Sequence, residues 1–205
     1  MLSAIRFLRP ILLAATLSAA CAAAEDSFTR NSTRELHEGD LLPDLEIVNQ
    51  RGEPIRVSAF HGKPLALTFI YSRCSSATLC PLVSRNFDTA QSLLTRLGAS
   101  ESCHLLSISL DAKNDTPEVL ATYARGCSAD EKLWTFATAP EEQLRSFGTS
   151  VGLEFKRAGE QINHNLRTVV VDASGHIQHI FRGNAWTPQE LVAELHHAAL
   201  PTSNQ

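Results

Sequence analysis

The sequence predicts an α/β domain in which helices cover both faces of a central mixed sheet, with a β-hairpin at its N-terminal end. Three observations predict it. Pro64–Tyr71 (PLALTFIY) and His104–Leu110 (HLLSISL) are nearly unbroken apolar runs rich in strand formers, the pattern of strands buried on both faces. Between them Val83, Phe87, Ala90, Leu94 and Leu97 recur at steps of four and three, which lays them on one face of a helix. Thr116-Pro117 and Thr187-Pro188 each place an N-cap residue before a proline at the first helical position, a combination that starts helices.

In chain order, Leu45–Val48 and Ile55–Val57 flank Asn49-Gln50-Arg51-Gly52 and read as a hairpin. Pro64–Tyr71 is the first buried strand. Pro81 opens the first long helix, and Gly98 stops it. His104–Leu110 is the second buried strand, followed by the helix that Thr116 caps. Leu133–Thr138 is a third strand, and Pro140 to about Phe147 a short helix. Arg167–Asp172 and Ile177–Phe181 flank Ala173-Ser174-Gly175 as a second hairpin. The last helix runs from Thr187 to near Ala199. This order is that of a thioredoxin-like fold. The domain spans 39–199, preceded by a polar arm at 25–38 that reads as flexible and followed by a tail at 200–205. The chain shows no internal repeat, low-complexity tract or second domain.

Composition narrows the function. The formal charge of −4 over 205 residues disfavours an electrostatic nucleic-acid binder, which needs a basic face. No run of eighteen apolar residues occurs, which argues against a membrane-spanning enzyme. The N-terminus has a basic start at Arg6 and Arg9, an apolar stretch at Ile11–Leu17, and small residues up to the acidic Glu25-Asp26. That is the layout of a secretory signal peptide, with cleavage after Ala24. Two other readings stay open: lipidation at Cys21, and retention of the segment as a short anchor. Asn31-Ser32-Thr33 is a glycosylation sequon if the source is a eukaryote. Export makes disulfides available, and four cysteines remain after Ala24: Cys74, Cys80, Cys103 and Cys127.

The strongest chemical signal is Cys74-Ser75-Ser76-Ala77-Thr78-Leu79-Cys80-Pro81, which joins a buried strand to a helix start. Amide groups at a helix N-terminus favour negative charge, so the Cys80 thiol is expected to be acidified and the more reactive for it. His164 is the candidate third ligand. It stands before the strand at Arg167, where a thioredoxin-like sheet brings the chain opposite the cysteine loop and where exchange enzymes carry a cis-proline. Two thiolates and an imidazole suit Cu(I), with Cu(II) and Zn(II) as alternatives. Three ligands in an open loop suit a metal that is handed on better than a structural zinc, which takes four. The initiator is the one methionine, so no thioether ligand is available once the leader is removed. The other histidines carry no ligand pattern. Cys103 precedes the second strand and Cys127 ends the helix that returns across it, so the two are expected as neighbours in a disulfide. Closing that loop of roughly 25 residues would stabilise the fold by about 3 kcal/mol.

Gly39-Asp40 with Pro43, Gly62-Lys63-Pro64, Phe69–Cys74, Cys80-Pro81, Ser107–Asp111, Asp115–Leu120, Trp134 and His164 resemble the SCO/SenC copper-chaperone family from about residue 39 to 198. The resemblance implies one copper held by Cys74, Cys80 and His164, with Asp111 as an acid beside the site. It implies a monomer that assembles the copper site of cytochrome c oxidase, acting outside the cytoplasm on that subunit or on another copper or thiol protein. Three positions depart from the family pattern: five residues rather than three separate the cysteines, and Ser75 and Ala112 replace prolines. The rival function is a thiol–disulfide oxidoreductase using Cys74 and Cys80. Against it stand the missing C-x-x-C and the histidine in place of the proline. A peroxidase fits less well, since neither cysteine lies in a P-x-x-x-[ST]-x-x-C context.

Overall fold

The structure is a computed structural model that describes residues 35–200. The leader with Cys21, the sequon and most of the C-terminal tail lie outside the described residues. Four helices and nine strands follow one another as β1 (Glu46–Asn49), β2 (Pro54–Arg56), β3 (Leu65–Ile70), α1 (Cys80–Arg96), β4 (His104–Ser109), α2 (Pro117–Gly126) and β5 (Trp134–Thr138). Then come α3 (Glu141–Ser150), β6 (Phe155–Ala158), β7 (Gln161–His164), β8 (Arg167–Val171), β9 (Ile177–Arg182) and α4 (Pro188–Ala198). A single 3-10 turn, Val57–Phe60, follows β2.

Seven strands form one sheet in the order β2-β1-β5-β4-β3-β8-β9. The central three run parallel, and antiparallel strands flank them on both sides. All six residues of β3 are buried, which explains why its sequence is apolar throughout rather than alternating. Phe87 of α1 and Tyr123 of α2 both reach the face of β5 that carries Trp134 and Phe136. Phe147 of α3 reaches Phe69, which the register Phe69↔Ile108↔Ala137 puts on the opposite face. Helices therefore cover both faces, as the sequence predicts. Two polar pairs inside the sheet satisfy one another: the Trp134 indole donates to Ser107 Oγ at 3.0 Å, and Thr168 donates to Thr68 at 3.0 Å.

Helix starts follow their sequence signals. Thr187 and Glu190 form a reciprocal capping box, and Thr116 Oγ1 accepts the amide of Val119. The domain begins earlier than residue 39, however. Leu36 is buried and its amide donates to the Ser150 carbonyl at 2.7 Å, and Glu35 pairs with Arg182 at 2.8 Å. The last residues of the expected flexible arm are thus part of the folded body, because an apolar side chain and an ion pair tie them down.

The β6–β7 hairpin was not foreseen. Its two-residue turn is Gly159-Glu160, with φ +64° at Gly159 and an ordinary φ at Glu160. That is the signature of a type II′ turn, which takes glycine first. The readable signal is the Gly159-Glu160 dipeptide itself.

Parallel strands deliver their successors to one end of the sheet, and ligands gather there. At that end the carboxylates of Asp111 and Asp115 have no solvent exposure. Asp115 accepts the Ser72 amide at 2.9 Å and the hydroxyls of Ser72 and Ser109. Asp111 pairs with Arg73 at 2.9 Å and Arg157 at 3.0 Å, and accepts Asn114 Nδ2 at 2.8 Å. Burial alone would raise the Asp111 pKa, but the hydrogen bonds from Arg73, Asn114 and Arg157 outweigh it and hold the carboxyl below its usual range.

Cys103 and Cys127 are free thiols here, which corrects the expected disulfide. Cys103 Sγ donates to the Ala99 carbonyl at 3.4 Å, beyond the C-terminus of α1. Cys127 has the Ser84 hydroxyl, in the first turns of α1, as its partner. From Ser84 to the end of α1 is about 18 Å of helix, far beyond disulfide reach. The returning helix α2 ends beside the middle of its neighbour helix, not beside the start of β4.

Two outcomes follow from this architecture. Peptide mapping without reduction should recover Cys103 and Cys127 separately alkylated, and a crosslinked pair would contradict the packing of α2. Asp111→Asn should cost about 3 kcal/mol at pH 7, as when one partner of a buried ion pair is removed. The folded pKa of Asp111 is depressed, so its contribution is present above the unfolded pKa and is lost as pH falls through the folded value. Urea unfolding should therefore show the wild-type advantage at pH 7 shrinking toward pH 3; equal stability at pH 7 would refute the role.

Candidate metal centre

The cysteine loop leaves the C-terminal end of β3 and enters α1, where Cys80 is the first helical residue and Pro81 the second. Its first turn is held from below by the two buried carboxylates, through Ser72 and Arg73. Arg157 extends the same clamp to the β6–β7 hairpin, and pairs with Glu141 at 3.0 Å. The hairpin thereby brings the last residue of β7, His164, over the loop.

Cys80 Sγ and His164 Nε2 are 3.6 Å apart. An ion about 2.3 Å from sulfur and 2.0 Å from nitrogen, at roughly tetrahedral angles, sets its ligands about 3.5 Å apart. The pair therefore matches two positions of one coordination sphere. His164 Nδ1 lies 2.7 Å from the Asn165 carbonyl, which can only accept, so Nδ1 carries the proton and Nε2 turns its lone pair toward Cys80. Burial lowers the His164 pKa, with the Asn165 hydrogen bond opposing it, and keeps the ring neutral near pH 7. The Tyr71 ring meets the imidazole edge-on with centroids 6.0 Å apart.

Cys74 is half-buried, with its sulfur 3.9 Å from the Ser76 carbonyl. Its thiol is near enough to Cys80 to help raise that residue's pKa. Among the described residues, no three His, Cys, Asp or Glu side chains converge on one point at ligand distances. Cys80 and His164 are already opposed, whereas Cys74 must turn its sulfur from the Ser76 carbonyl to join them. Asp111 does not face the sulfurs; it reaches the site through Arg73, the residue before Cys74.

The acidified Cys80 thiol expected from sequence is not found. Its pKa is raised, first by burial and then by the Cys74 thiol, and backbone hydrogen bonds at Tyr71 and Cys80 only partly offset this. Cys80 has no solvent exposure, so desolvation outweighs the helix N-terminus.

Sequence reasoning missed Gln161. Its Oε1 accepts from Ser75 Oγ at 3.0 Å, from Tyr71 Oη at 3.0 Å and from the Ser75 amide at 3.4 Å. Its Nε2 donates to the Arg73 carbonyl at 3.4 Å. On the far side of the loop, Asn184 Nδ2 donates to the Thr78 carbonyl at 2.8 Å. Nothing in a lone glutamine marks such a role; locating the hairpin would have put it beside the loop.

Comparison with known proteins identifies the family. A Stutzerimonas stutzeri protein named as copper-binding is 30% identical over 148 residues, 67% of this chain and 69% of that one. The structure of BsSco, described as a member of the Sco family of cytochrome c oxidase assembly proteins, superposes with a TM-score of 0.68 at 20% identity, over 81% of this chain and 96% of the other. Bradyrhizobium japonicum ScoI with copper bound gives a TM-score of 0.64 at 19% identity, over 78% of this chain and 99% of the other. The SCO1/SenC family profile matches residues 33–200, which include the whole described body, and the chain belongs to the SCO1/SenC family.

Proposed function

We propose that this chain is a copper metallochaperone that holds one Cu(I) ion on Cys74, Cys80 and His164 and gives it to a partner protein. The observation that carries the reading is the 3.6 Å approach of Cys80 Sγ and His164 Nε2, with the imidazole tautomer held by Asn165. Soft thiolates with one imidazole favour Cu(I), and Cu(II) is the alternative. Support also comes from relatives: one named as copper-binding and one solved with copper bound.

The chain's own contribution is to position and to desolvate. Asp111 and Asp115 hold Ser72 and Arg73, so the loop departs β3 in one direction. Burial of Cys80 excludes water from its sulfur, and Asn165 fixes the ring. Cys74, the more exposed sulfur, is the one an incoming partner meets first, which suits ligand-by-ligand exchange to another thiolate. The acceptor is a copper site of the cytochrome c oxidase type, by analogy with BsSco, or another extracytoplasmic copper or thiol protein. Location outside the cytoplasm rests on the leader at 1–24, whether cleaved, lipidated or kept as an anchor. Among the described residues, no helix is long and apolar enough to cross a membrane.

A second reading, a thiol–disulfide oxidoreductase, draws on the Cys74–Cys80 proximity. The raised Cys80 pKa counts against that residue as the attacking thiolate. Titration of the reduced chain with Cu(I) against a competing chelator separates the two. Wild type should bind one equivalent, Cys74→Ser and Cys80→Ser should lose it, and His164→Ala should weaken it by about tenfold, 1.4 kcal/mol. Equal, weak binding by all four, with rapid disulfide exchange by wild type, would overturn the chaperone reading in favour of the second.

A further inference from the structure

We propose that Gln161 is a positioning residue: it ties the enlarged Cys74–Cys80 loop to the strand that carries His164 and so sets where the sulfurs stand. For the metal this rests on the copper reading above; for the loop it rests on geometry alone. Five residues separate the cysteines; the last of them, Leu79, packs against the core, but the polar stretch of Ser75, Ser76 and Thr78 before it has no apolar side chain to do so. Tertiary hydrogen bonds have to hold it. Besides the His164–Cys80 contact, the hairpin supplies them through Gln161, which grips three successive places: the Arg73 carbonyl before Cys74, the Ser75 amide and hydroxyl after it, and the Tyr71 phenol beneath. Tyr71 completes the link by accepting the Ile162 amide at 3.3 Å. Gln161 and His164 are the two ends of β7, so the strand that presents the imidazole to Cys80 also fastens the chain on both sides of Cys74.

The chemistry of the contacts chooses the variants. Oxygen acceptance supplies three contacts and nitrogen donation one. Gln161→Leu removes all four at similar volume, and Gln161→Glu keeps the acceptor side. Asn163, exposed on the same strand, serves as a control as Asn163→Ala.

The test is pulsed iodoacetamide labelling of the reduced full chain, with cysteine peptides quantified by mass spectrometry. Cys80 and Cys103 are both buried and lie at opposite ends of α1, so Cys103 reports global opening. Gln161→Leu should speed Cys80 labelling about tenfold, equivalent to one to two hydrogen bonds, and leave Cys103 within twofold. Gln161→Glu, which keeps the three accepted contacts and loses the donation to Arg73, should speed Cys80 labelling less than Gln161→Leu does, and Asn163→Ala should match wild type at both sites. In the Cu(I) titration, Gln161→Leu should weaken binding by a similar factor and Gln161→Glu should weaken it by less. Cys80 and Cys103 accelerating together would mean general destabilisation and overturn the proposal, as would no change at Cys80. Failure of wild type to bind Cu(I) would sink the copper reading and leave the labelling result to decide the role of Gln161.

Discussion

Two carboxylates without solvent exposure, Asp111 and Asp115, set the terms for everything at the functional end of the sheet. A buried carboxylate is tolerated only when charge and hydrogen bonds surround it. Meeting that demand here recruits Ser72 and Arg73 from the cysteine loop, Ser109 and Asn114 from the end of β4, and Arg157 from the β6–β7 hairpin. Three segments distant in sequence are thereby fastened at one place. The sulfurs and the imidazole sit on top of this fastening and do not form it.

The same logic explains the chemistry of Cys80. A thiol at a helix N-terminus is acidified when the dipole acts on an accessible sulfur. Here the sulfur is sealed beneath the loop and beside a second thiol, and the loss of solvation exceeds what the helix supplies. A buried, protonated thiol opposite a neutral imidazole is quiet toward stray electrophiles. Coordination of a soft cation would replace its proton and compensate the desolvated charge directly. Reactivity in such a centre follows from what is brought to it, not from a standing thiolate.

Besides the two carboxylates, the side chains of Gln161 and Asn184 hold the loop's path, Gln161 from the hairpin and Asn184 from the segment after β9. A loop with five residues between its cysteines has freedom to lose on ordering, and polar contacts to rigid strands oppose that cost. Its serines and threonine supply the donors and acceptors for those contacts, and Ser75 gives both an amide and a hydroxyl donor to the Gln161 carbonyl oxygen.

The sequence by itself determined the alternation of elements, the buried central strands, the capped helix starts, and Cys74, Cys80 and His164 as the residues with ligand chemistry. These are local properties: apolar periodicity, cap and proline dipeptides, and residue type at the end of a strand. Only the tertiary structure decided which groups meet. It placed Cys103 and Cys127 apart, since the end of α2 packs beside α1 instead of at the start of β4. It turned Asp111 from an acid beside the metal into a clamp on Arg73 and Arg157, and joined Gln161 to the cysteine loop across some ninety residues of chain. It also reversed the expected acidity of Cys80. Burial and long-range hydrogen bonds depend on what the rest of the chain packs against a residue, and no window of neighbouring sequence contains that information.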